Sequence, residues 1–128
     1  MIDTIIFDLD GVLINSKDIH FEALNRALSE NSVNYQISYE DHLKNFDGLP
    51  TLTKLEILNK KKVLPKKLYK KIKNKKNIIT RKLLTKRLVY NKNTYQLFKK
   101  LSKKFKIGIA TNAIEDTLKI AIRKLKIS

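Results

Sequence analysis

Asp8 and Asp10 stand one residue apart in the run IFDLDGVLI, residues 6 to 14, among apolar and β-branched neighbours. A carboxylate in such company is costly unless it is solvated or paired, so the couple is either at a wet turn or held for a purpose. Two arrangements account for it. In the first, Asp10-Gly11 is the two-residue turn of a hairpin between IIFDL and VLI. In the second, TIIFD is a buried strand of a parallel sheet that ends at Asp8, and a period of two sets Asp8 and Asp10 on one side with Leu9 turned away. Gly11 then permits a sharp exit, because it has no side chain to forbid positive φ. Open α/β sheets keep their ligand crevice at that end of their strands. Two neighbouring carboxylates repel, and a cation between them keeps both ionised. A hard, oxygen-seeking ion such as magnesium suits the pair. A calcium EF-hand loop does not, since that pattern wants glycine sixth and glutamate twelfth, whereas Gly11 is fourth from Asp8 and Ile19 is twelfth.

Thr111 and Asn112 form a second constellation, at the end of the apolar run FKIGIA and the start of TNAIED. Asn112 and Glu115 have capping-box spacing, so helix initiation explains both polar residues. The same place is a ready anion site, where a hydroxyl and free backbone N–H groups can take a phosphate. If the two strands are adjacent and parallel, two carboxylates and a magnesium ion face a phosphate cradle across one crevice.

The elements between them must carry this arrangement. SKDIHFEALNRALSEN has apolar residues at Ile19, Ala23, Leu24, Ala27 and Leu28, the spacing of an amphipathic helix, with Ser16 as its N-cap. SYEDHLKNF opens on Ser38 with Asp41 three residues on. A loop DGLP follows, and TLTKLEILNKK resumes helical spacing through Leu52, Leu55 and Leu58. Pro65 suits the first turn of a longer basic helix with Leu68, Tyr69, Ile72, Ile79, Leu83 and Leu84 as its stripe, interrupted around residues 74 to 77 and so open to reading as two helices. NKN at 91 to 93 reads as a turn, TYQLFKKLSKK as a helix, FKIGIA as a second buried strand, and TNAIEDTLKIAIRKLKI as a final helix. His20 and His42 lie on helices without acidic or cysteine partners at metal spacing, which makes both structural. A long helical excursion between two strands predicts a cap inserted into an α/β core, with residues 1-15 and 91-128 as core and 16-90 as cap.

Size and charge bound the rest. The chain has 128 residues, no cysteine and a formal net charge of +16. Disulfides and thiolate metal sites are therefore excluded. No apolar run approaches a transmembrane span and the start is acidic where a secretory leader is basic, so a cytoplasmic protein is expected, without a membrane partner. The charge is polarised: residues 1 to 59 hold ten acidic and four basic side chains, residues 60 to 106 hold twenty basic and none acidic. Lysine outnumbers arginine 24 to 4. Sites that read bases or grip phosphates bidentately lean on arginine, so a solvated helical face is the expected role and nucleic acid is not an expected partner.

DLDGVL matches the D-x-D-G-V/T signature of the haloacid dehalogenase (HAD) superfamily, and IGIATN resembles its second motif, a strand ending in Ser or Thr. The intervening helices resemble the cap of the β-phosphoglucomutase and phosphoglycolate phosphatase branch, in which GLPT at 48 to 51 is similar to a segment facing the active site. The resemblance spans essentially the whole chain. It implies a partial Rossmann-like core with parallel strands and an inserted α-helical cap, and a magnesium-dependent phosphatase acting on a small phosphorylated metabolite. By that resemblance Asp8 is the nucleophile that becomes an aspartyl phosphate, and Asp10 the general acid and base. The Asp8 carboxylate and the Asp10 backbone carbonyl hold Mg2+, while Thr111, Asn112 and Gly48 contact substrate.

The pattern also departs from the family. A phosphate-neutralising lysine and a later acidic pair are missing after Thr111, since Glu115-Asp116 come too early and Lys119 and Lys124 qualify by charge alone. The expectation is a C-terminally truncated chain, inactive by itself or completed by a second chain that supplies the missing strands. The alternative is a non-catalytic basic protein that holds nucleic acid or another polyanion on a HAD-like scaffold.

Overall fold

The computed structural model describes residues 1–111 and 113–127. In chain order the elements are β1 (Thr4–Asp8), α1 (Lys17–Glu30), α2 (Tyr39–Asp41) running into a π-turn (His42–Phe46), and α3 (Thr51–Lys60). A 3-10 turn (Lys66–Leu68) then leads into α4 (Tyr69–Arg87), followed by α5 (Lys92–Leu101), β2 (Lys106–Ala110) and α6 (Glu115–Leu125). They divide into two compact units, Met1–Ser16 with Leu83–Ser128, and Lys17–Lys82, the division falling within α4. Among the described residues no helix is long and apolar enough to cross a membrane.

In the first unit β1 and β2 pair in parallel, Thr4 opposite Lys106 through Asp8 opposite Ala110. Two strands so far apart in sequence can pair this way only through a long crossover, which the intervening helices provide. The expected burial of the strands is not found. Exposure alternates along β1, with Ile5 and Phe7 half-buried while Ile6 is 67 % exposed. Phe7 packs 4.9 Å from Phe98 of α5. A sheet of two strands has one covered face, so the apolar run reads as buried on both sides when only one is. The anticipated turn at 91 to 93 is also corrected: Asn91 accepts from the Thr94 amide at 3.1 Å and caps α5, which therefore begins at Lys92.

In the second unit, Ile19, Ala23, Leu24, Ala27 and Leu28 of α1 are all buried, as their spacing requires. Asn25 sits among them. Its side-chain amide donates to the Ile37 carbonyl and its oxygen accepts from the Ile37 amide, both at 2.9 Å, which fastens the chain after α1 back onto the helix. Ser38 caps α2 through the Asp41 amide at 3.1 Å. Leu55 and Leu58 are buried, but Leu52 is 49 % exposed. The basic segment is one helix, not two. Across the interruption its inner face is continued by Lys76 and Thr80, 5 % and 4 % exposed, between Ile72 and Leu83. A lysine stem is long enough to replace an apolar residue there.

His42 is 1 % exposed and its Nε2–H donates to the Lys17 carbonyl at 3.1 Å. Burial, reinforced by the Lys54 ammonium, pushes its imidazole below the ordinary histidine range against the opposing pull of Asp47. The unfolded chain binds a proton at His42 more readily than the folded one, so stability is complete above about pH 6.5 and declines as pH falls below it. Urea unfolding from pH 7.5 to 5.5 should show a loss of up to about 1.4 kcal/mol per pH unit from this group. His42→Gln should flatten that slope, and an unchanged slope would assign the effect elsewhere.

Candidate active site

Asp8 closes β1 and is exposed, Leu9 is fully buried, and Asp10 is half-buried. This is the alternation expected of a pair sharing a side. One Asp8 oxygen accepts from the Leu9 amide at 2.8 Å. The buried Leu9 also anchors the turn through its carbonyl, which receives the amides of Leu13 and Ile14 at 3.0 Å and that of Val12 at 3.4 Å. Gly11 takes φ +80° there and donates to the Ile14 carbonyl at 2.7 Å. The chain thus curls around the Leu9 carbonyl instead of returning as a strand, and β1's neighbour is the parallel β2. The hairpin arrangement is excluded.

Ser16, expected as the cap of α1, is 2 % exposed and gives its hydroxyl hydrogen to an Asp10 oxygen. Asp10 is thereby held by the residue six positions on, at the far end of the same turn. A carboxylate fixed by a buried donor keeps one orientation, which proton transfer at a defined atom requires.

Parallel strands lie about 4.8 Å apart. Asp8 is opposite Ala110, so Thr111 follows the residue beside the carboxylate. The Thr111 hydroxyl oxygen accepts from the Ala113 amide at 3.0 Å, which orients it within the turn before α6. The helix begins at Glu115 behind Ile114, which gives it no side-chain cap, and the predicted capping box falls on Asn112, which lies outside the described residues. Glu115 and Asp116 in the first turn complement the helix dipole.

The structure therefore brings Asp8, Asp10 and Thr111 to one end of the sheet. Both carboxylates offer hard oxygen donors, the chemistry of a magnesium ion that keeps several of its waters. Among the described residues no group of three or more His, Asp or Glu side chains gathers to hold a metal.

Gly48 belongs to the other unit, in the loop 47–50. It is exposed, takes φ +80°, and a Cβ added there would meet nothing within 4 Å. Its backbone serves the turn. Just beyond it, Thr51 accepts from the Lys76 ammonium at 3.0 Å, and Lys54, one turn along α3, is 3 % exposed. Sequence reasoning placed Lys76 on a solvated face and gave Lys54 no role. The signal was present for Lys76, which sits four residues after Ile72 and three before Ile79, on the apolar stripe. An open groove of about 690 Å³ in the same unit, along α1 and bordered by Asp18, Phe21, Ile37 and Tyr39, contains none of the predicted residues.

A family model for haloacid dehalogenase-like hydrolases matches residues 5–128. Several solved structures share the fold. CbbY from Rhodobacter sphaeroides, in complex with xylulose-1,5-bisphosphate, superposes with a TM-score of 0.84 at 15 % identity over 97 % of this chain and 57 % of its own. A hydrolase from Pseudomonas syringae gives 0.77 at 22 % identity, over 100 % and 57 %. A Thermotoga maritima protein assigned as a β-phosphoglucomutase gives 0.68 at 22 % identity, over 98 % and 57 %. At these identities the likeness is one of fold, and the chain spans little more than half the length of each. No curated protein sequence matches it.

Gly11 provides a direct check on the turn. A Cβ there meets nothing within 4 Å, whereas one on Gly108, whose φ is not positive, reaches Ile6 Cγ1 at 3.9 Å, an ordinary contact. Gly11→Ala should cost about 1–2 kcal/mol through backbone strain alone, with Gly11→Asn milder. Gly108→Ala should be neutral or slightly stabilising, and urea midpoints for the three variants test the ranking.

Proposed function

The chain belongs to the haloacid dehalogenase-like hydrolases, and on that footing we propose that it carries the nucleophile end of a magnesium-dependent phosphatase for small phosphorylated metabolites. In this reading an Asp8 oxygen attacks phosphorus, the bond from phosphorus to the leaving oxygen breaks, and Asp10 delivers a proton to that oxygen. Water then attacks the aspartyl phosphate while Asp10 takes its proton, which releases phosphate and restores Asp8. Thr111 donates its hydroxyl hydrogen to a phosphate oxygen, with Asn112 beside it in sequence. Asp8 and Asp10 would hold Mg2+, which when bound offsets the charge of the phosphoryl group. Gly48 and the loop 47–50, in the helical unit, are assigned to substrate selection.

The observation that carries the proposal is the register that sets Thr111 one step past the partner of Asp8. The xylulose-1,5-bisphosphate bound by CbbY supports the substrate class, as a small phosphorylated sugar on the same fold. The family is one of hydrolases, which lends the non-catalytic alternative no support. We assign the phosphate-neutralising lysine and the remaining acidic ligands to the part of the fold that this chain does not span, whether on a second chain or on a continuation, in a cytoplasmic setting.

Labelled acetyl phosphate tests the reading, because its leaving group needs little acid assistance. With magnesium, the chain should acquire an acid-stable, hydroxylamine-labile phosphoryl label with little repeated turnover. Asp8→Asn should acquire none. Asp10→Asn should take up label and lose it more slowly, by about 10²–10⁴-fold. An unlabelled parent chain, or brisk aryl phosphate turnover that survives Asp8→Asn, would overturn the assignment.

A further inference from the structure

Asp10 and Ser16 belong to the same compact unit, and the turn between them determines where the serine hydroxyl stands. Gly11 donates to the Ile14 carbonyl at 2.7 Å and Ile14 donates to the Leu9 carbonyl at 3.0 Å, while Asp10 and Ile14 face each other in an isolated bridge. Leu9 and Ile14 are 0 % and 4 % exposed, so the turn is anchored in the core on both sides. Ser16 comes two residues after Ile14 and is itself buried, with its hydroxyl hydrogen directed to Asp10 Oδ1. A buried hydroxyl has little water to bond instead, which makes this contact persistent.

A serine hydroxyl has one hydrogen to give, and here it reaches one carboxyl oxygen. The two oxygens of Asp10 are thereby made unlike. Oδ1 accepts from Ser16 in the carboxylate form, and it keeps that role in the protonated form, because the C=O oxygen of a neutral carboxyl is its better acceptor. We propose that Ser16 is a positioning residue for Asp10, with Oδ1 as the held atom and Oδ2 as the atom that gives and takes the proton.

This inference rests on the phosphoryl-transfer reading above for what the proton does. In the first step the Oδ2–H bond breaks as its proton passes to the leaving oxygen. In the second, a water oxygen bonds to phosphorus while one of its O–H bonds breaks and that proton passes to Oδ2. Both transfers use one atom, so the carboxyl need not rotate between them. Asp8 is held by another donor, the Leu9 amide, and its attack on phosphorus requires no proton from Asp10 when the leaving group is a good one. Ser16 therefore governs the proton transfers and leaves formation of the Asp8–phosphorus bond alone. A serine that only capped α1 would give a different pattern, since its loss would lower stability and slow both steps alike.

The test follows labelling and label loss with labelled acetyl phosphate and magnesium, on the full chain. Ser16→Ala should take up label within threefold of the parent rate and lose it about 10–10²-fold more slowly, the cost of a misplaced reacting group. Ser16→Thr, which keeps the hydroxyl, should lose label at the parent rate within threefold. Placed in an Asp10→Asn background, Ser16→Ala should slow label loss by less than twofold further, because the two residues act as one. Equal slowing of uptake and loss by Ser16→Ala would overturn the proposal, as would parent-like loss, or Ser16→Thr behaving as Ser16→Ala. The three-bond Hα–Hβ couplings of Asp10, measured by NMR without substrate, report its side-chain rotamer independently of any turnover. They should show one rotamer in the parent and in Ser16→Thr, and averaging in Ser16→Ala. An unchanged single rotamer in Ser16→Ala overturns the positioning role, whereas averaging together with an unlabelled parent chain overturns the phosphoryl-transfer reading and retains the hold of Ser16 on Asp10.

Discussion

The parallel pairing of β1 with β2 is the constraint on which the candidate site depends. Asp8 and Thr111 are separated by 102 residues of chain, and no local interaction could bring them together. The ladder from Thr4–Lys106 to Asp8–Ala110 does so. A slip of one residue would exchange the two faces of the strand and send Leu9, which must be buried, toward solvent. Burial of Leu9 thus protects the register, and the register sets the carboxylates beside the hydroxyl.

Within that frame the carboxylates are held by different means. Asp8 is fixed at the strand end by its neighbour's amide, while Asp10 is fixed across the turn by Ser16. Both restraints belong to the sixteen residues that open the chain, a segment in which every polar group that the chemistry would use is attached to backbone or to a buried hydroxyl. In the helical unit, Asn25 pins the segment after α1, His42 is buried at the start of the π-turn, and Lys76 bonds to Thr51. Buried polar groups of this kind are stable only when partnered, and they limit the alternative packings open to a small lysine-rich chain.

Most of the elements were legible in the sequence because their signals are local and periodic. The apolar positions of α1, the Ser38 cap and the glycine turn after Asp10 each follow from spacing over a few residues. The pairing of Asp8, Asp10 and Thr111 was legible only because two strand-end motifs have the same form. What was not legible depended on partners distant in sequence. Ser16, read as a cap from its place before α1, also holds Asp10. Asn25 bonds to Ile37, a partner twelve residues on that no local period announces. Strand burial was overestimated because an apolar run reports what a strand could bury, not how many neighbours it has. Lys76 was lost among its many like residues, although its place in the 3.6-residue period marked it as internal.

Ile6 lies 67 % exposed on β1, whose sole sheet neighbour among the described residues is β2. A strand with an unpaired edge and an apolar outward face is a template for adhesion between copies. The chain carries +16 charges that oppose such encounters. Wherever β1 has no second neighbour, repulsion among these charges opposes such adhesion, and counterions that screen it weaken that opposition.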